Sequence, residues 1–298
     1  MSAVDLPRQA AAPRRRSELV LALRAMTRDR LALAGLIVLL LTFVTALLAP
    51  LISPYDPYEA HRAVGRLAPP LTRGHLLGTD GQARDVLSRV IWGSRVAIPT
   101  ALIPILASSL LGLAIGMAAG YFRGMVAGLL MRLLDIIFAF PGVLLAVAIA
   151  AILGAGMTNA VLAMSIVLLP FVSRIVYVET VRVSRQEFVE AARLAGESTW
   201  AVLREEVLPN ILSPVIVFGT TSLGGMLVLS AGLSFLGVGV QPPTPDWGIM
   251  ASEGRVVLRI APWISLVPGL VVIVVAVACN LAGDGIRDAL DPRQRRRR

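Results

Sequence analysis

The 298-residue chain contains no lysine; all 28 of its basic side chains are arginine. That absence excludes a P-loop, whose lysine must reach the β- and γ-phosphates of a nucleotide, and excludes Schiff-base chemistry, which needs an amine nucleophile. Cysteine is almost missing too. Cys279 stands alone inside an apolar run, so no internal disulfide can form, and a thiol in such surroundings is packing rather than chemistry. His61 and His75 are the only histidines, both in one polar stretch, which argues against a zinc site built mainly from histidine or cysteine. Charge is scarce as well: 16% of residues are charged, against about 25% in soluble domains.

What fills the space is apolar. Hydrophobic residues make up 56% of the chain and mean hydropathy is +0.76. The few charges are clustered, leaving long runs nearly free of them, the composition of a polytopic membrane protein. Six stretches are long enough to cross a hydrocarbon core of about 30 Å at 1.5 Å per residue: 31–52, 96–121, 133–154, 160–178, 211–236 and 264–283. The first begins too late and runs too long for a cleaved signal peptide, so it is expected to persist as an anchor. An even number of spans places both termini on one side. With the termini inside, the cytoplasmic segments hold 20 arginines and the outer segments 8. The excess of arginine in cytoplasmic segments then makes both termini cytoplasmic, despite six arginines in the first outer loop. The +9 net charge, concentrated at the termini, fits this orientation and contact with anionic lipid better than nucleic acid.

Pro104, Pro141, Pro170, Pro214 and Pro268 interrupt the spans. Each removes a backbone donor, as suits a bundle that rearranges or one that merely tolerates proline in lipid. Asp135 is expected to pair with Arg132 one turn earlier. The spans hold no chain of acids or histidines of the kind a proton-driven pump uses.

One internal segment is polar: "EFVEAARLAGESTWAVLREEVLPN", residues 187–210. Residues 186–195 read as a helix ended by Gly196, which accepts the left-handed conformation of a helix C-terminus. Ser198 then caps a second helix through Trp200, Val202 and Leu203, which Pro209 should stop. The result is a cytoplasmic knob between the fourth and fifth spans. A DNA-binding helix–turn–helix has a similar turn, but from Glu187 to Glu206 five acids face two arginines, and phosphate binding needs cations.

"EAA", three residues, Gly, then a helix ending "LPN" resembles the coupling motif of ABC importer permeases, here Glu190, Ala191, Ala192, Gly196, Leu208 and Pro209. "HLLGTDGQARDVLSRVIWGSR", "DIIFAFPGVLLA", "LSFLGVGVQPPTPDWG" and "NLAGDGIRDALDPR" resemble the same family in order and spacing. Together they resemble the C-type subunit of the dipeptide/oligopeptide/nickel permease family, over roughly residues 20 to 293. Two departures stand out: Ala83 replaces a glycine of the family's first-loop pattern, and Glu206 stands where histidine or an apolar residue is usual.

The resemblance implies an all-α integral membrane protein with the six-helix type I ABC importer permease fold in the bacterial inner membrane. Its parts would be a cytoplasmic tail (1–30), a first span (31–52), a periplasmic loop with an amphipathic surface helix (53–95), a five-helix core (94–283) carrying coupling helices 186–209, and a cytoplasmic tail (284–298). It implies a homologous B-type permease as partner, two cytoplasmic ATPases that bind ATP and magnesium, and an external substrate-binding protein. The chain itself would hold no cofactor and catalyse no reaction. The knob would fit a groove on one ATPase, with Ala191 and Ala192 permitting close approach and Glu190 meeting a cation. A purely structural loop is the plainer reading.

The remaining motifs allow two readings each. Val86, Leu87, Val90 and Ile91 share a face of a helix that either seals the outer surface and touches the binding protein or simply rests at the interface. The loop "GVGVQPPTPDWG" cannot be helical; Trp247 is expected at the headgroup level, with docking of the binding protein as the other reading. "GDGIRDALDPR" should end the last span and form a short separate helix, with Arg287 and Arg295–Arg298 on anionic lipid. Ser108, Ser109, Thr220, Thr221 and Ser222 are candidates to line the path, or small residues that let helices approach. The function expected is import of di- or oligopeptides. The alternatives are nickel or another solute on the same architecture, or a proton-coupled secondary transporter.

Overall fold

A computed structural model describes residues 29–290. Most of the 1–30 tail, and the C-terminal run Arg295–Arg298, lie outside the described residues. Helix α1 (Arg30–Ile52) starts at Asp29, whose carboxylate accepts the backbone N–H groups of Leu31 and Ala32. Its buried stripe is narrow and made of small residues, Ala32, Gly35, Ala46 and Ala49. A Cβ on Gly35 would come 2.7 Å from the Ala278 carbonyl oxygen, so glycine lets α1 lie directly on the last helix.

Helix α2 (Val86–Phe122) is 37 residues long, about 55 Å at 1.5 Å per residue. The surface helix expected near 84–94 is therefore the beginning of this span and not a separate element. Nothing in "WGSRVA" breaks the hydrogen-bond ladder between them, and Asp85 caps the combined helix through the Ser88 N–H. Its apolar face, with Val86 and Val90, packs on Trp247 and Met250 rather than on lipid.

The expected single span at 133–154 is broken. Helices α3 (Gly124–Phe138) and α4 (Gly142–Leu153) meet at 89°. Pro141 has no N–H to donate and disfavours helical geometry at Phe140. Helix α5 (Met157–Val183) follows, then α6 (Glu187–Leu194), α7 (Thr199–Phe235), α8 (Trp247–Arg255) and α9 (Trp263–Leu290). Among the described residues, five helices are long and apolar enough to cross a membrane, and six spans result if the bent pair counts as one. Helix α9 runs straight through "GDGIRDAL", so the separate short helix expected after 283 is absent. Gly283 supports this continuity by lying against α7, where an added Cβ would sit 3.0 Å from the Thr220 carbonyl.

The centre of the bundle is the pairing of α2 with α5. Gly112, Gly116 and Gly120 recur every fourth residue and face Val172, Val176 and Thr180, spaced the same way. A Cβ on Gly116 would lie 2.5 Å from that of Val176. Without a hydrophobic driving force between helices in lipid, such close backbone approach is a main source of association.

Residues 53–85 form no strand, only isolated bridges such as Ala60 with Arg84 and Thr79 with Asp85. Buried charge holds them together. Arg84 donates to Asp80 (2.6 Å) and to Glu253 of α8 (2.9 Å), while fully buried Arg89 lies 3.6 Å and 3.5 Å from the same two carboxylates. His75 meets Asp85 at 2.8 Å and stacks on Tyr55, with His61 alongside. Burying one charge without its partner would cost several kcal/mol, so the cluster acts as a unit pinning the loop to α2 and α8. Ala83 has φ +65°, the left-handed geometry that a glycine takes without a steric penalty.

Trp247 does not face outward as an interfacial anchor would. It is 2% exposed, and its indole N–H donates to the Val90 carbonyl at 2.9 Å. Asp246 caps α8 by accepting from the Ile249 N–H. Capping starts that helix immediately after the proline-rich turn and draws the indole into the α2 contact.

Candidate functional site

The polar segment folds as two short arms meeting at Gly196. Helix α6 places Glu187 and Glu190 in its first turn and Arg193 in its last, each sign at the end of the helix dipole that favours it. The Arg193 guanidinium also lies 4.7 Å from the centre of the Tyr121 ring, tying α6 to the end of α2. At the C-terminus the Gly196 N–H donates to the Arg193 carbonyl and the Glu197 N–H to that of Ala192, a Schellman arrangement. Gly196 has φ +85°, which that closure requires. Ser198 then accepts from the Ala201 N–H and starts α7.

Pro209 does not stop this second arm. Residues Val202–Val207 widen into a π-helical turn, in which the Leu208 N–H donates back five residues to Leu203, and α7 continues to Phe235. The wider turn gives the proline ring room that a regular turn denies it.

The inner face of the knob is rigidly seated. Val189, Val202 and Val207 are fully buried in one cluster with Val176 and Val183 of α5 and Ile211 of α7. The outer face is different. Glu190, Ala191 and Gly196 are exposed, Ala192 half-buried, and beside them stand Phe188, Leu194 (85% exposed) and Trp200 (70% exposed). Leu208 and Pro209 are half-buried at the base. Leu194 was legible in the sequence as apolar surface beside Ala191 and Ala192; Phe188 is an addition, its signal being apolar character off the buried face of an otherwise polar segment.

The path-lining candidates divide. The Ser108 hydroxyl is buried and donates to the Pro104 carbonyl of its own helix. Thr220, Thr221 and Ser222 are half-buried, and each donates to a carbonyl three or four residues earlier; Thr220 and Thr221 also lie at the Gly283 contact. Ser109 is half-buried. The hydroxyls of Ser108, Thr220, Thr221 and Ser222 thus serve their own helices. Asp135 pairs across helices with Arg174 of α5 at 2.5 Å, not with Arg132 as expected, because α3 packs along α5 and presents the carboxylate to it.

Residues 111–296 match the family described as the binding-protein-dependent transport system inner membrane component. The chain belongs to that family. Residues 17–70 match the N-terminal membrane domain of oligopeptide transport permease C. A di/tripeptide transport system permease protein DppC from Pseudomonas aeruginosa is 41% identical over 274 residues, 91% of this chain and 90% of that protein. A glutathione transport system permease protein GsiD from Pectobacterium atrosepticum is 37% identical over 270 residues, covering 91% and 89%. Among solved structures, an inward-facing form of the MetNI methionine ABC transporter aligns with a TM-score of 0.55 at 17% identity, over 68% of this chain and 96% of that one. That likeness concerns the fold alone. This binding-protein-dependent permease is a multi-pass inner membrane protein of an ABC importer, and α6 with the start of α7 forms an exposed polar projection.

Proposed function

We propose that the chain is the C-type permease of a peptide importer and that the knob from Glu187 to Pro209 couples it to an ATPase. One observation carries this reading: a projection whose inner face is locked into α5 and α7 while its outer face offers Phe188, Leu194 and Trp200 beside Glu190. A seated lever of this kind passes displacement at its surface to two membrane helices, because a packed core moves as a body. The apolar residues would enter a groove on the ATPase, and Glu190 would meet a cation at its rim. ATP and magnesium belong to the ATPases, and this chain contributes mechanical coupling without chemistry. A homologous B-type permease completes the path, an external binding protein delivers the peptide, and both termini lie in the cytoplasm with the knob. Names of relatives support di- or tripeptides, or glutathione, as cargo.

Mild-detergent purification of the tagged chain, with mass spectrometry of what accompanies it, tests the assembly. A second permease and P-loop ATPases are expected, and any bound external protein is then assayed against dipeptides and glutathione. A chain that purifies alone in several detergents, yet takes up peptide on a proton gradient in vesicles, would overturn the reading.

A further inference from the structure

At the same end of the bundle as the knob, α3 and the last turns of α5 line an open cavity of about 570 Å³. Three arginines line it: Arg123 at the α2–α3 junction, Arg174 within α5 and Arg185 just after it. Arg174 is matched by Asp135. Neither Arg123 nor Arg185 makes an ion pair among the described residues, so the cavity carries about two uncompensated positive charges. Its walls are otherwise apolar, with Met131, Val178 and Val181, and Tyr177 stands between the arginines in sequence. Gly124 and Gly128 sit one turn apart on α3, and a Cβ on either would meet nothing within 4 Å. Space beside α3 is therefore left open along a full turn of bare backbone.

We propose that this cavity binds an anionic phospholipid, its phosphate held by Arg123 and Arg185 and an acyl chain lying along Gly128, Val178 and Val181. Guanidinium groups bind phosphate through paired donors, and basic pockets between membrane helices accept acidic headgroups. The apolar half of the cavity decides between sources of phosphate. A free anion would use the arginines and leave that half empty, whereas a lipid fills both. The adjoining face of α3 is apolar and outward, with Met125 90% exposed and Leu129 62% exposed, as a lipid-facing surface is. An acidic side chain from a second subunit would satisfy the charge but not fill the groove beside Gly128.

The test uses the purified complex in nanodiscs of phosphatidylcholine doped with phosphatidylglycerol, reading retained lipid by native mass spectrometry. Arg123→Gln with Arg185→Gln is expected to lower phosphatidylglycerol retention roughly ten- to thirty-fold, at about 1 kcal/mol per arginine. Gly128→Leu, which leaves every arginine in place, is expected to lower it several-fold. Arg182→Gln, whose partner is Glu179, serves as the control and leaves retention unchanged. Unchanged retention in the first two variants overturns the proposal. So does displacement of the lipid by inorganic phosphate with Gly128→Leu silent, which marks a soluble-anion site. A third overturning outcome is cross-linking from Arg185→Cys to a second permease in place of lipid.

Discussion

The indole of Trp247 occupies the space that a side chain at Gly93 would need: a Cβ there would come 2.6 Å from both its Cδ1 and its Nε1. The proline-rich loop is thereby anchored to α2 by shape and by the hydrogen bond to Val90. Gly93→Val is expected to destabilise the detergent-solubilised protein by about 1–3 kcal/mol through overpacking. Trp247→Ala should cost about 3–5 kcal/mol, and Trp247→Phe should fall between by sparing most of the packing. Thermal melts followed by tryptophan-independent size exclusion check the order.

Gly116 makes the analogous contact inside the bundle. Gly116→Leu would force α2 from α5, and a loss of folded yield is expected. Gly116→Ala should be milder, about 1–3 kcal/mol, because Val176 must yield. Val176→Gly combined with Gly116→Ala should recover part of that loss, since it removes both the Cβ and the Cγ1 that the new methyl meets, while the Ser173 carbonyl at 2.6 Å stays in place. A double-mutant cycle on melting temperature reads the coupling. Strict additivity would mean that the two residues do not press on each other.

The sequence carried the helical class, the length of most spans and the knob, because apolar run length and the Gly196 and Ser198 caps are local signals. It did not carry what depends on neighbours. Whether residues 84–94 lie flat on a membrane or extend a span depends on Trp247, which approaches from more than 150 residues away. Trp247 itself read as an interfacial aromatic because burial against Gly93 has no sequence period. The bend at Pro141 was visible as a proline, but its 89° size follows from α3 packing on α5. The Asp135–Arg174 pair was hidden by a nearer arginine on the same helix.

Asp246 gives a pH dependence whose sign is fixed. Burial pushes its carboxyl above its ordinary value of 3.8, outweighing the hydrogen bond from Ile249 and the charge of Arg89. The folded state therefore holds the proton more tightly than the unfolded state. Its contribution to stability is full below 3.8, declines as pH rises towards the elevated folded value, and is constant above it. Asp246→Asn keeps the cap, since Asn caps as well as Asp, and removes that decline. The melting temperature of Asp246→Asn minus that of the parent should rise with pH across this window and then level off. Asp246→Ala loses the cap as well and should lie about 1 kcal/mol below Asp246→Asn at every pH.

Gly196 separates steric crowding from backbone geometry. No atom lies within 4 Å of where its Cβ would be, yet φ is +85°. Gly196→Asn, which tolerates the left-handed region, should keep most transport. Gly196→Val should reorient α6 and lower peptide uptake roughly tenfold or more, with a strain of about 1–2 kcal/mol driving the change. Assembly and basal ATP hydrolysis of the complex should persist while stimulation by the loaded binding protein is lost. Equal uptake by the valine and asparagine variants would mean that the turn carries no signal.

The π-helical turn at Val202–Val207 sets the direction in which the knob points. At 100° per residue, Val202 and Val207 would lie about 140° apart around a regular helix and could not share one buried face. A turn closed five residues back brings them together, and both are fully buried. Pro209 reinforces this by making the regular turn costly, about 3 kcal/mol for a proline in a helix interior. Two independent features thus hold the same geometry, and removing one should not release it. Pro209→Ala alone is expected to preserve coupling. Pro209→Ala with Val207→Ala should let the turn relax to a regular helix, rotating everything before it by about 100°. Spin labels at introduced cysteines 197 and 122 read that rotation as a changed distance, and the native Cys279 is buried and poorly placed to take a label. The double variant should show the new distance together with lost coupling. If coupling is lost while the distance stays fixed, Val207 acts through packing on α5 and the π turn does not aim the knob.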